Sequence, residues 1–400
     1  TTGEESAMLI REKVGQAVGI LNEFDCDCWI TFVRESSVLH DPMLDFLSGS
    51  DMTWHSAFLI TRSGDNRAIV GQMDRQSVED LGVYRQVLGY VQGIRQPLLE
   101  TLKELDPRRI ALNYSSDSEI CDGLTHGMYL TLHAYLSEIG FADRIVSSEK
   151  IGSSLRARKT PAEIARIRKA IGHTLEIFDK VTPFIAPGRT EKEIADFMVR
   201  EVEQRGLDLG WGRDHCPAVF TGPDTAEAHY RPTDRKVERG HLLNMDFGVR
   251  CEGYTSDLQR TFYVLEEGET AAPPEVLRGF DTIVKSIELA AAALKPGVQG
   301  KTVDDVARGY IVSRGYEEYP HALGHQVGRY AHDGTALLAP AWEKYAGKPF
   351  EPIEERMVFT LEPRLKVPGR GVATVEEMVL VTASGAEFLG EPQKELILVR

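Results

Sequence analysis

A chain of 400 residues exceeds what one hydrophobic core usually organises, so its length predicts two domains. Hydrophobic residues at 42% and charged residues at 27% are ordinary for a globular enzyme, and a net charge of −15 leaves no basic excess to displace counterions from a nucleic acid. No apolar run reaches the length of a membrane span and the first residues lack a signal pattern, so neither nucleic acid nor membrane is an expected partner. The five cysteines, Cys26, Cys28, Cys121, Cys216 and Cys251, are odd in number and contain no CxxC pair. They predict free thiols, no thiolate zinc site, and a reducing cytoplasmic setting.

Residues 1–150 read as a small α/β domain. CWITFV (28–33), SAFLITR (56–62) and RIALNY (109–114) are short, β-branched or aromatic, and bounded by turn residues, which predicts strands. Between them Val87, Val91, Ile94 and residues 98–102 have a helix-like spacing. No catalytic cluster is apparent in this domain.

A break at about 149–158 precedes the second domain, residues 155–400. Thr160-Pro161-Ala162-Glu163 combines a Thr cap, Pro at the first helical position and Glu at the third, predicting a helix to about Val181. PGRTEKEIADFMVREVEQRG (187–206) then resembles PGVQGKTVDDVARGYIVSRG (296–315): a Pro-Gly loop, a Thr cap with an acid three residues on, and an amphipathic helix ending in Gly. Each copy follows a longer helix, 161–181 and 275–294, which suggests an internally duplicated domain. Each half then supplies a hairpin carrying acids, 241–248 with 254–264, and 357–365 with 373–382.

Asp246 lies between Met245 and Phe247, and Asp257, Glu362 and Glu376 also interrupt apolar or β-forming runs. An ionised carboxylate in such a setting is costly unless it meets a cation or a metal. A strand-end acid facing solvent explains any one of them; four, two in each half, point to a metal site. His321 and His325 stand four apart, which on a helix would place both on one face. Pro320, Gly324 and Gly328 predict a loop or strand there instead.

NMDFGVRCEGYTSDLQRTF, HALGHQVGRYAHDG, FTLEPRL and VEEMVLVT, in this order, resemble the signature blocks of the pita-bread metallopeptidases. That family includes methionine aminopeptidase, aminopeptidase P, prolidase and the metal-free creatinase. The resemblance implies an α/β N-terminal domain followed by an α+β, internally duplicated pita-bread catalytic domain. It implies two divalent ions per subunit, Mn²⁺, Co²⁺ or Zn²⁺, held by Asp246, Asp257, His325, Glu362 and Glu376. Bridging carboxylates offset the repulsion of two such ions, which can share one activated hydroxide. By the same resemblance Glu362 is the proton shuttle, His229 and His332 support the scissile group, and His321 lies in the substrate pocket. The implied reaction is hydrolysis of Xaa-Pro dipeptides, with aminopeptidase P activity on longer peptides as the alternative and a creatinase-like or lyase activity behind it. A homodimer is implied as well.

The chain departs from the pattern in two places. EPRLK puts Arg364 and Lys366 where the family usually has Gly and Tyr, and Thr374 stands where prolidases and aminopeptidases P usually carry Arg. A dipeptidase needs a cation for the substrate carboxylate, and Arg is the best suited to it. Arg370, flanked by Pro368, Gly369 and Gly371, is the expected anchor, with Arg364 and Lys366 next.

Overall fold

The computed structural model describes residues 3–225 and 231–400. The chain divides into two compact units, Thr1–Arg156 and Ala157–Arg400.

In the first unit a mixed sheet runs in the order Gln86–Tyr90, Arg67–Gly71, Ser56–Thr61, Cys28–Val33, Ile110–Leu112, Ile145–Ser147. The strands expected from the apolar runs form its centre. Cys28–Val33 pairs antiparallel with Ser56–Thr61 and parallel with Ile110–Leu112. Every residue of that strand is buried, which accounts for an apolar run interrupted only by Thr31. Trp29 packs with Ile10 and Val14 on one face, while Ile30 and Phe32 pack with Leu98 and Leu102 on the other.

The helix-like spacing around residue 90 divides into two elements. Gln86–Tyr90 is an edge strand parallel to Arg67–Gly71, and the helix is Arg95–Leu105. Gly89 and Gly93 disfavour a helix through the stretch, and the exposed Val91 marks no buried face. Ladder hydrogen bonds to the neighbouring strand therefore decide the conformation.

The second unit opens with the helix Pro161–Val181, and both halves of its Thr160–Glu163 capping box are made. Glu191–Gln204 starts in the same way from Thr190 and Glu193. In the second copy the long helix is Pro274–Ala293 and the short one Gly300–Ser313. There the expected cap is corrected: Gln299 is the N-cap and Thr302 lies inside the first turn. A Cβ on Gly300 would come within 2.0 Å of the Leu337 carbonyl oxygen, so this close approach sets the helix start.

Leu242–Phe247 pairs antiparallel with Leu258–Val264, and Ala218–Thr221 extends that sheet. In the other half Val358–Leu361 pairs with Glu377–Val381, and Arg364–Val367 with Gly371–Thr374. This second hairpin is broken on both arms, at Glu362-Pro363 and at Val375-Glu376. Its apolar side joins Phe280, Ile283, Val303 and Ile311 of the helices with Leu361, Leu365, Val367 and Val379. Phe280→Ala in this core should cost roughly 3–5 kcal/mol. The five cysteines are free and buried. Among the described residues no helix is long and apolar enough to cross a membrane.

Candidate metal centre

Backbone register brings the acids together. Ala218 pairs with Asp246, Asp246 with Gln259, and Gln259 with Glu376, so one row crosses four chain segments. Residues opposite one another in a ladder share a face. Neighbouring strands are spaced about 4.8 Å apart, so Asp246 and Glu376 flank Gln259. Asp257 enters from the residue before the Leu258–Val264 strand, and Glu362 from the break in the opposite hairpin.

His325 is delivered by the short strand Gly324–His325 rather than by a helix. The segment lies along Val358–Leu361: Gln326 bridges Phe359, the Glu362 amide donates to the Leu323 carbonyl at 2.8 Å, and the His325 amide to Thr360 Oγ1 at 3.1 Å. A Cβ on Gly324 would come within 1.9 Å of the Thr360 carbonyl oxygen, so only glycine allows this approach. The His325 Nε2 atom consequently sits 3.7 Å from Asp257 Oδ2 and 3.4 Å from Glu362 Oε1.

Burial and mutual repulsion govern the electrostatics of the four acids. Burial pushes the Asp246 carboxyl up to about 7. Burial and then the neighbouring carboxylates raise Asp257, Glu362 and Glu376 well above the usual carboxylate range. Asp246 Oδ1 and Glu376 Oε1 are buried without a hydrogen-bond donor. Ligand atoms of Asp257, His325 and Glu376 all lie within 4.8 Å of one another. Hard oxygens, one imidazole and orphaned buried oxygens fit divalent cations.

Two features here were not foreseen from the sequence. The Gln259 amide donates to Glu376 Oε2 at 2.9 Å, and its own carbonyl accepts from the Thr374 hydroxyl at 3.2 Å. Thr374 thus orients the amide that holds one oxygen of Glu376. The second feature is Arg260, which binds both carboxylate oxygens of buried Glu377 at 2.9 and 3.3 Å. Strand alternation turns Glu377 away from Glu376, so adjacent glutamates have different partners.

The histidines differ. His332 is exposed and packs edge-on against His325, with ring centroids 4.3 Å apart. Burial lowers the His321 imidazole to about 4, assisted by the charges of Arg364, Arg308 and Lys344. Its Nδ1 lies 2.8 Å from the Ala322 carbonyl oxygen. His229 lies outside the described residues.

The cations are placed differently from expectation. Arg370 donates to Glu275 at 3.2 and 3.0 Å and to the Gly240 carbonyl at 3.2 Å. It stands at the turn of the outer hairpin, where its carbonyl accepts from the Leu242 amide at 2.8 Å, four residues and so about 14 Å along the strand from Asp246. The structure therefore does not bring Arg370 together with the acids. Arg364 is buried, pairs in register with Thr374, and begins the strand two residues beyond Glu362. Arg364 and exposed Lys366 line a groove of about 1050 Å³, together with Arg278, Arg314, Tyr316 and Tyr319.

The sequence pattern of metallopeptidase family M24 matches residues 165–383. The chain belongs to that family. Its M24 region coincides with the duplicated helices and acid-bearing hairpins, which form the pita-bread catalytic domain behind an α/β N-terminal domain. The chain is similar to an uncharacterized peptidase of Staphylococcus saprophyticus, with 28% identity over 342 residues, 83% of this chain and 87% of that one. An Xaa-Pro dipeptidase from Bacillus anthracis has the same fold at a TM-score of 0.76 and 22% identity, covering 98% of this chain and 100% of that one. An X-Pro aminopeptidase from Thermotoga maritima superposes at 0.74 and 24% identity, covering 94% and 98%. The fold is common to both activities and does not choose between them.

Proposed function

We propose that this M24 metallopeptidase hydrolyses the bond before proline in Xaa-Pro dipeptides, with two divalent ions held by Asp246, Asp257, His325, Glu362 and Glu376. The observation that carries the reading is the cluster of carboxylates, two with buried donorless oxygens, around a single imidazole. That donor set suits Mn²⁺, Co²⁺ or Zn²⁺. Bound there, such ions would supply Lewis acidity toward the scissile carbonyl and lower the pKa of the attacking water.

The remaining work falls to the chain's own groups. Glu362 takes a proton from the water and returns it to the leaving amine. His332, beside His325, and His229 steady the charge developing on the carbonyl oxygen. Proline beside the cleaved bond is supported by the motif blocks and by the names of the two structural neighbours. A second reading, Xaa-Pro cleavage in longer peptides, is favoured by the likeness to the X-Pro aminopeptidase from Thermotoga maritima.

Purified protein loaded with Mn²⁺ and offered Ala-Pro and Ala-Pro-Ala side by side tests both. Faster cleavage of Ala-Pro supports the first reading and faster cleavage of the tripeptide the second; a metal-loaded protein inert toward both overturns them. We also propose a cytoplasmic homodimer. A light-scattering mass near the 44.6 kDa of one chain would contradict the dimer.

A further inference from the structure

The helix Gly300–Ser313 carries an acid and a base one turn apart, Asp304 and Arg308. On a helix surface such a pair contributes little. This one is buried, with Asp304 0% and Arg308 6% exposed. A buried ion pair is tolerated where further hydrogen bonds satisfy the rest of both groups, and here those bonds all lead to residues 318–323. Nε and Nη2 of Arg308 fork onto the Asp304 carboxylate at 2.6 and 2.8 Å. Nη1 donates to the Tyr319 carbonyl at 2.6 Å and Nη2 to the His321 carbonyl at 2.7 Å, while the Leu323 amide donates to Asp304 Oδ1 at 3.1 Å. Nη1 also reaches Glu318 at 3.4 Å, so the N–H donors of the guanidinium all face acceptors.

Residues 314–323 belong to no helix or strand, so no ladder sets their path toward His325. Buried backbone groups need partners, and at 319, 321 and 323, every second residue, the ion pair supplies them. The guanidinium also lies 3.9 Å from the centre of the Tyr319 ring, which is 5.2 Å from that of His321. Tyr319 has a buried hydroxyl without a hydrogen-bond partner and is near enough to Glu362 to feel its charge. Beyond this segment the Leu323 carbonyl accepts from the Glu362 amide at 2.8 Å. The pair therefore grips the last irregular stretch of chain before the acids and imidazole meet.

We propose that Asp304 and Arg308 are positioning residues: the buried pair shapes Tyr319–Leu323 and so sets the pose of His321 toward substrate, while the metal ions are held by other groups. This rests on the reading of the chain as an Xaa-Pro peptidase in which His321 lies in the substrate pocket. A lysine at 308 would keep the charge but lose the planar fork that joins the carboxylate to both carbonyls. The pose of His321 also has a signature of its own. Its Nδ1 stands 2.8 Å from the Ala322 carbonyl oxygen, which can only accept, so the ring carries its proton on Nδ1.

A double-mutant cycle tests the coupling. Mn²⁺-loaded wild type, Arg308→Lys, His321→Ala and the double variant are assayed on Ala-Pro and Ala-Pro-Ala, with bound manganese measured by mass spectrometry. Arg308→Lys should lose on the order of 10- to 100-fold in kcat/KM, chiefly through KM, at undiminished metal content. In the His321→Ala background the same change should cost little more, because both act through one side chain. Wild-type kcat/KM in Arg308→Lys, metal lost in step with activity, or losses that simply multiply in the double variant would each overturn the proposal. Should Arg308→Lys not fold, Asp304→Asn, which keeps the shape and drops the charge, is read in the same way. A wild type that cleaves neither peptide sinks the Xaa-Pro reading, and the imidazole ¹⁵N signals of His321 in Zn²⁺-loaded protein, assigned by their loss in His321→Ala, then decide the positioning role. A move away from the Nδ1-protonated pattern in Arg308→Lys, with His325 unmoved, sustains it, and an unmoved His321 rejects it.

Discussion

Removing metal should expose a conflict built into the row of acids, and Asp246→Asn should relieve it. Burial raises the Asp246 carboxyl from 3.8 to about 7. Each pKa unit corresponds to about 1.4 kcal/mol, so ionised Asp246 costs the metal-free fold on the order of 4 kcal/mol. The sign is definite. Between roughly pH 4 and 7 the folded chain holds a proton that the unfolded chain has lost, so this group's contribution falls as pH rises and is fully unfavourable above 7. Neighbouring acids relax when one is neutralised, so an advantage of roughly 1–4 kcal/mol is expected for Asp246→Asn in chelator at pH 8. In a domain of this size that is about 2–16 °C in Tm. Differential scanning fluorimetry of both proteins, with chelator and with Mn²⁺ from pH 4 to 8, measures it. The gap should close toward pH 4, and with Mn²⁺ the order should reverse, since only the wild type retains its ligand. A chelated wild type as stable as Asp246→Asn at pH 8 would refute the account of the cluster as uncompensated charge.

Asp257→Asn, His325→Ala and Glu376→Gln should each lower bound metal and turnover; full metal content by mass spectrometry with wild-type activity would remove that residue from the proposed ligand set. Gln259→Leu removes the amide that orients Glu376 at nearly constant volume and should weaken metal binding, at a cost of roughly 1–3 kcal/mol. Competition with a metal-sensing dye checks it, and an unchanged affinity would make Gln259 a packing residue only. Arg260→Met leaves Glu377 buried without its partner and should destabilise by roughly 3–5 kcal/mol in urea unfolding. The double change Arg260→Met with Glu377→Leu should recover most of that. Arg370→Ala, which breaks a partly exposed pair with Glu275, should cost at most about 1 kcal/mol.

Much of the architecture is legible where the controlling interactions are local. Thr160 with Glu163 and Thr190 with Glu193 make the capping boxes their spacing predicts, because donor and acceptor are three residues apart. Gly300 defeats the same logic, since the carbonyl that crowds it belongs to Leu337. The acids could be picked out singly as misfits in apolar strands, but their meeting depends on the ladder register. Gln259 illustrates the limit: its partners Thr374 and Glu376 lie more than a hundred residues away, and glutamine in a strand raises no alarm by itself. Arg370 misleads for a related reason. Its Pro-Gly surroundings do shape a turn, but Glu275, at the start of a distant helix, decides where the guanidinium goes. Tyr319 gives no sequence signal at all, because an orphaned hydroxyl is defined only by what surrounds it.

The break in the second hairpin has an evolutionary consequence. Interrupting both arms beside Glu362 and Glu376 divides one long ribbon into an inner half that fixes the acids and an outer half, Arg364–Val367 with Gly371–Thr374, that has its own ladder. Register errors or substitutions in the outer half are not transmitted as a slip along the inner strands, since no continuous ladder joins them. The outer half is therefore free to drift. Arg364, Lys366 and Thr374 all lie on it, so substitutions there can change the surface it presents while the ladder that fixes the acids is kept.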